Sequence, residues 1–109
     1  QTSIAKVKYE LGDFEQAVLA AQKAIKWGPD FAQSHFWLAK GVHQMGYFEA
    51  ALKSYEKAIK LNPDYGDAFY YRGALKISMD KVKSACEDFR QAKRLNVEGS
   101  SIVKKKYCS

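Results

Sequence analysis

The sequence predicts an all-α protein built from antiparallel helix pairs that repeat along the chain. Three observations predict this fold. The segment 9–30 aligns with 43–64 and again with 77–98, at a constant spacing of 34 residues. Apolar residues in each segment recur three and four positions apart, which places them on one face of a helix. Proline follows the same "KAIK" motif twice, at Pro29 and Pro63, and ends a helix because it lacks an N–H group and its ring crowds the preceding turn.

The repeats divide the chain into three copies and a tail within one predicted domain, residues 1–109. The copies span about 1–31, 32–65 and 66–97, and the tail spans 98–109. A single helix pair cannot bury its apolar face, so stacked pairs are needed to share a continuous core. The first copy starts part-way through the pattern. We therefore expect a short opening helix, and we interpret the chain as a fragment or a processed product.

Each copy is expected to contain two helices joined by a tight turn. In the middle copy the first helix covers 32–45, Gly46 ends it, and the second covers 47–61. Asp13 and Asp80 stand where the second helices of the other two copies begin. We expect their carboxylates to accept backbone N–H groups there, as N-caps.

The order of small and bulky residues resembles the tetratricopeptide repeat, whose signature is W-x2-L-G-x2-Y, then A-x3-F, A and P. In the middle copy these positions hold His35, Leu38, Ala39, Val42, Ala51, Tyr55, Ala58 and Pro63. The outer copies depart from the signature, because Lys8 and Lys76 replace the tyrosine and Val97 replaces the last proline. We expect looser packing at the two lysines and a gentler bend at Val97. The resemblance implies a right-handed α-solenoid that ends in a C-terminal solvating helix.

The resemblance also implies that the first helices of the pairs line a concave groove that holds a segment of another protein. The inward positions of the family fall on Thr2, Lys6, Tyr9, Glu10, Gln33, Phe36, Trp37, Lys40, His43, Gln44, Asp67, Tyr70, Tyr71, Ala74 and Ile77. Aromatic side chains beside a cation are typical of interface hot spots. The predicted peptide-binding residues are therefore Lys6, Tyr9, Gln33, Phe36, Trp37, Lys40, His43, Tyr70 and Tyr71. The alternative for Trp37 and Tyr71 is packing between adjacent repeats.

One subset of the family grips the C-terminal carboxylate of chaperones with lysine, asparagine and arginine side chains. The matching positions in this chain are Thr2, Lys6, Trp37, Asp67 and Tyr71. Neither asparagine is present, and Asp67 would repel a carboxylate. The sequence therefore argues against a chaperone-tail clamp.

Composition and motifs bear on the other function classes. The net charge of +6 permits an acidic partner, although most lysines stand beside acids on predicted exposed helix faces. No apolar run approaches the roughly 18 residues of a membrane span. His35 and His43 lie eight residues apart, unlike the i, i+4 pair of a zinc helix. We expect no enzyme, no metal and no cofactor.

Two further binding functions stay open. RNA binding is disfavoured because Glu10 and Asp67 fall in the predicted groove, and no stripe of lysines is apparent. Self-assembly into homo-oligomers is the stronger rival, through the groove or through the apolar end around Ile4, Val7 and Leu11.

The two cysteines leave a bridged and a reduced state open. Cys86 and Cys108 can pair if the tail folds back, but two cysteines also occur unpaired in cytosolic proteins. We favour the reduced pair, and with it a cytoplasmic over an exported setting, although the sequence does not fix the compartment. In the tail, Ile102, Val103 and Tyr107 are predicted to form one apolar face that caps the last repeat.

Overall fold

The computed structural model describes residues 2–108, and within that range it contains seven α-helices and no strand. The helices are α1 (Thr2–Glu10), α2 (Phe14–Trp27), α3 (Ala32–Gln44), α4 (Phe48–Leu61), α5 (Gly66–Ser78), α6 (Val82–Arg94) and α7 (Ser100–Tyr107). The first six make the three predicted pairs, and α7 lies in the tail. The predicted all-α fold of helix-pair repeats is therefore confirmed.

The chain forms two compact units. The first unit extends to Asn62 and holds α1 to α4, whereas the second begins at Pro63 and holds α5 to α7. The boundary thus falls at one of the two prolines that the sequence marks as helix stops.

The core of the first unit is built mainly from small side chains. Ala39, Ala51 and Ala58 have no exposed surface, and the equally buried Tyr55 fills the space that they leave between α3 and α4. Gly41 marks a close approach of α3 to α2, because a Cβ atom there would lie 2.7 Å from Val18 Cγ2. Small residues let paired helices approach, as the repeat pattern predicts.

The core of the second unit follows the same rule. A Cβ atom at Gly73 would lie 2.7 Å from the ring of Phe89, so α5 and α6 meet there with no spare volume. Leu75 and Phe89 are almost completely buried. Val97 folds back on the start of α5, where it would touch a Cβ atom at Gly66.

The first helix of each pair ends in a turn with one left-handed residue. Gly12 and Gly46 have φ values of +81° and +87°, and Asp80 has a φ of +60° at the equivalent position. After α5, the Lys81 N–H donates to the Lys76 carbonyl at 2.8 Å, which is the Schellman pattern. The prediction that Asp80 is an N-cap is wrong, because its backbone ends α5 and Lys81 precedes α6.

The end of α6 uses the same turn, with Asn96 at a φ of +63°. The Val97 N–H donates to the Ala92 carbonyl at 3.0 Å. The expectation of a gentler bend at Val97 is therefore wrong. A left-handed asparagine ends the helix here without a proline, since its short polar side chain tolerates this backbone conformation.

Asp13 is an N-cap, as predicted. Its carboxylate accepts the Gln16 N–H of α2 at 3.2 Å. Asp13→Ala should lower the free energy of unfolding by about 1 kcal/mol, because it leaves that N–H without its acceptor. Urea unfolding followed by circular dichroism measures the loss. Asp80→Gly is the matched control and should lose no stability, since glycine suits its left-handed backbone; an equal loss in both variants would contradict these roles.

Candidate functional site

Four side chains from α1 and α3 form an aromatic–lysine cluster in the first unit. They are Tyr9, Phe36, Trp37 and Lys40. The Lys40 ammonium lies 4.4 Å from the ring centre of Tyr9, 4.7 Å from that of Trp37 and 5.5 Å from that of Phe36. Such distances allow the cation to interact with the electron-rich ring faces.

The members of this cluster differ in their access to solvent. Phe36 is 3% exposed and packs against Tyr55, while Lys40 is 8% exposed. The expectation that these two side chains face a ligand is corrected, because both are part of the packed interior. Tyr9 and Trp37 are half-buried and form the accessible part of the cluster.

Trp37 packs between adjacent repeats, which is one of the two alternatives left open by the sequence. It packs against the buried alanines of α1 and α2, Ala5, Ala20 and Ala21, and meets Tyr9 edge to face at 5.6 Å. Part of its ring nevertheless remains accessible. The Gln44 side-chain amide donates to the Tyr9 hydroxyl at 3.3 Å, which ties the end of α3 to α1.

The other predicted residues of the first unit occupy the edges of this surface. Lys6 and Gln33 are exposed, on α1 and at the start of α3. His43 points instead toward its own helix pair, where its Nδ1 lies 3.2 Å from the Tyr55 hydroxyl. Burial, together with the charge of Lys40, holds the pKa of His43 below its ordinary value of 6.5, which favours the neutral ring. The side chain of Thr2 lies outside the described part of the chain.

Tyr70 and Tyr71 lie side by side on α5 of the second unit, with their ring centres 5.3 Å apart. Tyr70 also contacts Phe89 of α6, at 6.0 Å. Its hydroxyl lies near Gly99, just before α7, where a Cβ atom would approach it to 3.5 Å. Both tyrosines are half-buried and keep some accessible surface.

A buried group of charges in the second unit was not predicted. Asp88 of α6 is 3% exposed and accepts two hydrogen bonds from the Arg72 guanidinium, at 2.7 and 2.9 Å. The Lys76 ammonium lies 3.0 Å from the same carboxylate. The expectation of loose packing at Lys76 is therefore wrong, because an ion pair replaces the tyrosine of the family pattern. The signal was present in the sequence, since Arg72 and Lys76 lie one helical turn apart at two packing positions.

Several large apolar side chains are exposed in the first unit. Ile4 and Val7 of α1 are 51% and 52% exposed, and Leu11, in the turn after α1, is 74% exposed, as the expected apolar end requires. Trp27 and Phe31 are 83% and 65% exposed, and neither was singled out by the sequence pattern. Ordinary apolar residues scattered singly over a surface need no partner, but a stripe along one helix face is a candidate interface.

Metal and membrane sites receive no support from the described residues. Within 2–108, no three His, Cys, Asp or Glu side chains are grouped so that they could hold a metal ion. None of the helices there has the length and apolar character needed to cross a bilayer.

Two family profiles match the chain. One, described as a TPR repeat, matches residues 42–80, and the other, described as a tetratricopeptide repeat, matches residues 2–40. Together they cover well over half of the chain. No curated protein is similar enough in sequence to add a relative.

Solved structures share the fold. The Arabidopsis OM64 TPR domain has a TM-score of 0.92 and 22% identity, over 97% of this chain and 89% of its own. The first TPR of Spaghetti (RPAP3), bound to the HSP90 peptide SRMEEVD, has a TM-score of 0.89 and 20% identity, over 94% of this chain and 85% of its own. MamA has a TM-score of 0.80 and 22% identity over 85% of this chain. The matched part is 54% of MamA, so this chain corresponds to about half of that protein.

Proposed function

We propose, from the premise that this chain belongs to the tetratricopeptide-repeat family, that it is a non-enzymatic scaffold that binds a peptide or protein segment on the first helices of its pairs. Members of the family generally mediate contacts between proteins. The observation that carries the finer proposal is the accessible edge of the aromatic–lysine cluster, formed by Tyr9 and Trp37 on α1 and α3.

The cluster suits a binding surface because its exposed rings are held in place before a ligand arrives. Trp37 is fixed by packing against alanines, and Tyr9 by a hydrogen bond from Gln44. Preorganised aromatic side chains lose little conformational entropy on binding, so more of the contact energy appears as affinity. In this arrangement the buried Lys40 contacts the rings of Tyr9 and Trp37 and does not contact the ligand itself.

The charge around this surface favours an acidic segment. Lys6 is exposed on α1, and the buried Lys40 adds a second positive charge between the rings, against one negative charge from the exposed carboxylate of Glu10. The HSP90 peptide seen with the Spaghetti domain is also acidic, but that domain shares only 20% identity with this chain. A chaperone-tail clamp stays disfavoured, because Trp37, Asp67 and Tyr71 occupy positions where the clamp needs asparagine, lysine or arginine.

Binding can be tested with variants that spare the buried residues. Trp37→Leu should weaken capture of a segment by about thirtyfold, which corresponds to about 2 kcal/mol. Lys6→Glu should weaken only an acidic segment. The test compares proteins retained from an extract by the native chain and by each variant, followed by titration of a peptide from the retained protein.

Lys53→Glu is the matched control, since Lys53 is exposed on α4, the second helix of its pair. It should bind as the native chain does. Melting curves establish that Trp37→Leu is folded at the assay temperature. Equal binding by all four proteins would reject this surface. A steep loss of binding with salt, shared by unrelated single-stranded RNAs, would favour nucleic acid instead.

Self-assembly is the second candidate, and the exposed stripe Ile4, Val7 and Leu11 favours it. These residues lie 34 positions before Leu38, Gly41 and Met45, and Gly41 packs closely against α2 of the preceding pair. The stripe formed by α1 and the turn after it thus has the position that packs against the preceding helix pair elsewhere in the chain. Sedimentation over a concentration series should show association that Val7→Glu abolishes; a monomer at all concentrations would exclude it.

A further inference from the structure

We propose that the Cys86–Cys108 disulfide is a thiol-exchange site for small anionic thiols, and that its opening releases α7 from α6. The disulfide joins α6 to the residue after α7, with the two Cα atoms 5.7 Å apart, so the reduced pair favoured from the sequence is wrong: the tail folds back far enough to bring Cys108 to Cys86. The proposal concerns the opposite end of the chain from the aromatic–lysine cluster, and it does not depend on what that cluster binds.

A small reagent can reach the disulfide from solvent. Both half-cystines line a cleft of about 430 Å³, whose other walls are Val82, Lys83, Glu87, Arg90 and Tyr107. Cys86 is 6% exposed, whereas Cys108 is only half-buried. A thiolate that enters the cleft therefore reaches the sulfur of Cys108 first.

The charge of the cleft selects an anionic reagent. Among the described residues that line it, Lys83 and Arg90 provide two positive charges, and Glu87 provides one carboxylate. The surrounding segment is also basic, because residues 81–109 contain eight Lys and Arg but only three Asp and Glu. A basic surface raises the local concentration of anions, and nearby cations also stabilise a departing thiolate.

The exchange follows the usual two steps. An anionic thiolate attacks Sγ of Cys108, a mixed disulfide forms, and the electron pair of the broken S–S bond leaves on Cys86 as a thiolate. A second thiolate attacks the sulfur of the reagent in that mixed disulfide, and Cys108 then departs as a thiolate. Two small thiols are oxidised to one small disulfide, while the protein disulfide is reduced to two thiols.

α7 packs against α6 but buries little of its own surface. The helix has eight residues, and Ser100 alone among them is buried. The Ser100 hydroxyl makes no hydrogen bond to the described residues. Ile102 was predicted to cap α6, but it is 74% exposed, and Tyr107 is 38% exposed. Since a helix this short is marginal in water without extensive packing, the disulfide is a strong restraint on its position.

The test measures reduction of the oxidised full chain by glutathione and by uncharged mercaptoethanol, with free thiols counted over time. Lys83→Glu combined with Arg90→Glu should slow the glutathione reaction by about tenfold and the mercaptoethanol reaction much less, because both reagents attack as thiolates but only glutathione carries further negative charge. Each rate is compared with that of the native chain, so the intrinsic reactivities of the two reagents cancel. Lys53→Glu, on α4, should change neither rate.

Release of α7 is read by limited trypsin cleavage at Lys104, Lys105 and Lys106. Cleavage should speed up at least tenfold on reduction, and a Cys108→Ser chain should be cleaved at the reduced rate from the start. Equal slowing of both reagents in the double charge variant would overturn anion selection. Unchanged cleavage after complete reduction would overturn the release of α7, and so would a chain that keeps two free thiols under oxidising conditions.

Discussion

Asp88→Ala is expected to lower the free energy of unfolding by about 3–5 kcal/mol. The Asp88 carboxylate is 3% exposed and is the shared partner of Arg72 and Lys76. Its removal would leave two cations close together in a poorly hydrated place between α5 and α6, with no anion there to offset them. Chemical unfolding, followed by the helix signal in circular dichroism, measures the loss.

Two controls distinguish the effect of leaving buried charges unpaired from the effect of any substitution in α6. Glu87→Ala changes an exposed acid one residue away and should stay within about 0.5 kcal/mol of the native chain. Replacing all three charges together, as Arg72→Met, Lys76→Met and Asp88→Leu, should recover most of the stability, because no unpaired charge remains buried. If the triple variant were less stable than Asp88→Ala, the ion pairs themselves would hold the two helices together.

The fold could be predicted from the sequence because it depends on the volume of the side chains at the helix contacts. Positions such as Ala51 and Ala58 recur at a fixed period, and a small side chain at a helix contact leaves a clear trace in any sequence. Where a residue departs from the repeat pattern, the sequence does not show which side chain it contacts. Lys76 was visible as a departure from the pattern, but its pairing with Asp88 needs the relative rotation of α5 and α6.

The candidate site was predicted less well than the fold. The family positions listed Tyr9, Trp37 and Lys40 among the inward residues of the first helices, but did not predict that the Lys40 ammonium lies against the rings of Tyr9 and Trp37. The family positions do not predict how deeply each side chain is buried. They therefore did not distinguish the buried Phe36 from the half-buried Trp37 that follows it. Exposure depends on the rotation of each helix against its neighbours, which a one-residue shift alters by about 100°.

The tail was the least predictable part. Its apolar residues suggested a packed face, yet Ile102 is exposed and Ser100 is buried. A short helix with few apolar residues has no strong preference for one face, so its position depends on the Cys86–Cys108 link. Cysteine spacing alone leaves the bridged and reduced states open, because the pairing requires the chain to fold back across 22 positions.

Ala58→Trp is expected to destabilise the first unit by about 3 kcal/mol or more, which is at or above the upper end of the usual cost of overpacking. Ala58 has no exposed surface, and on the same helix face Tyr55 already fills the space beside α3. A tryptophan has no room in that interface unless α3 and α4 separate, and such a separation would also loosen the contact between His43 and Tyr55. Protein interiors are packed too closely to absorb an added ring without a shift of backbone.

Ala50→Trp is the matched control, because Ala50 is exposed on the same helix as Ala58. It adds the same ring and carries a similar loss of helix propensity, so a difference between the two variants isolates the packing term. Thermal melting should show a large drop for Ala58→Trp and a small one for Ala50→Trp. Similar melting temperatures for the two variants would mean that the α3–α4 interface is loosely packed. The small residues of the repeat would then reflect helix preference rather than close approach, and the 34-residue period would lose its physical explanation.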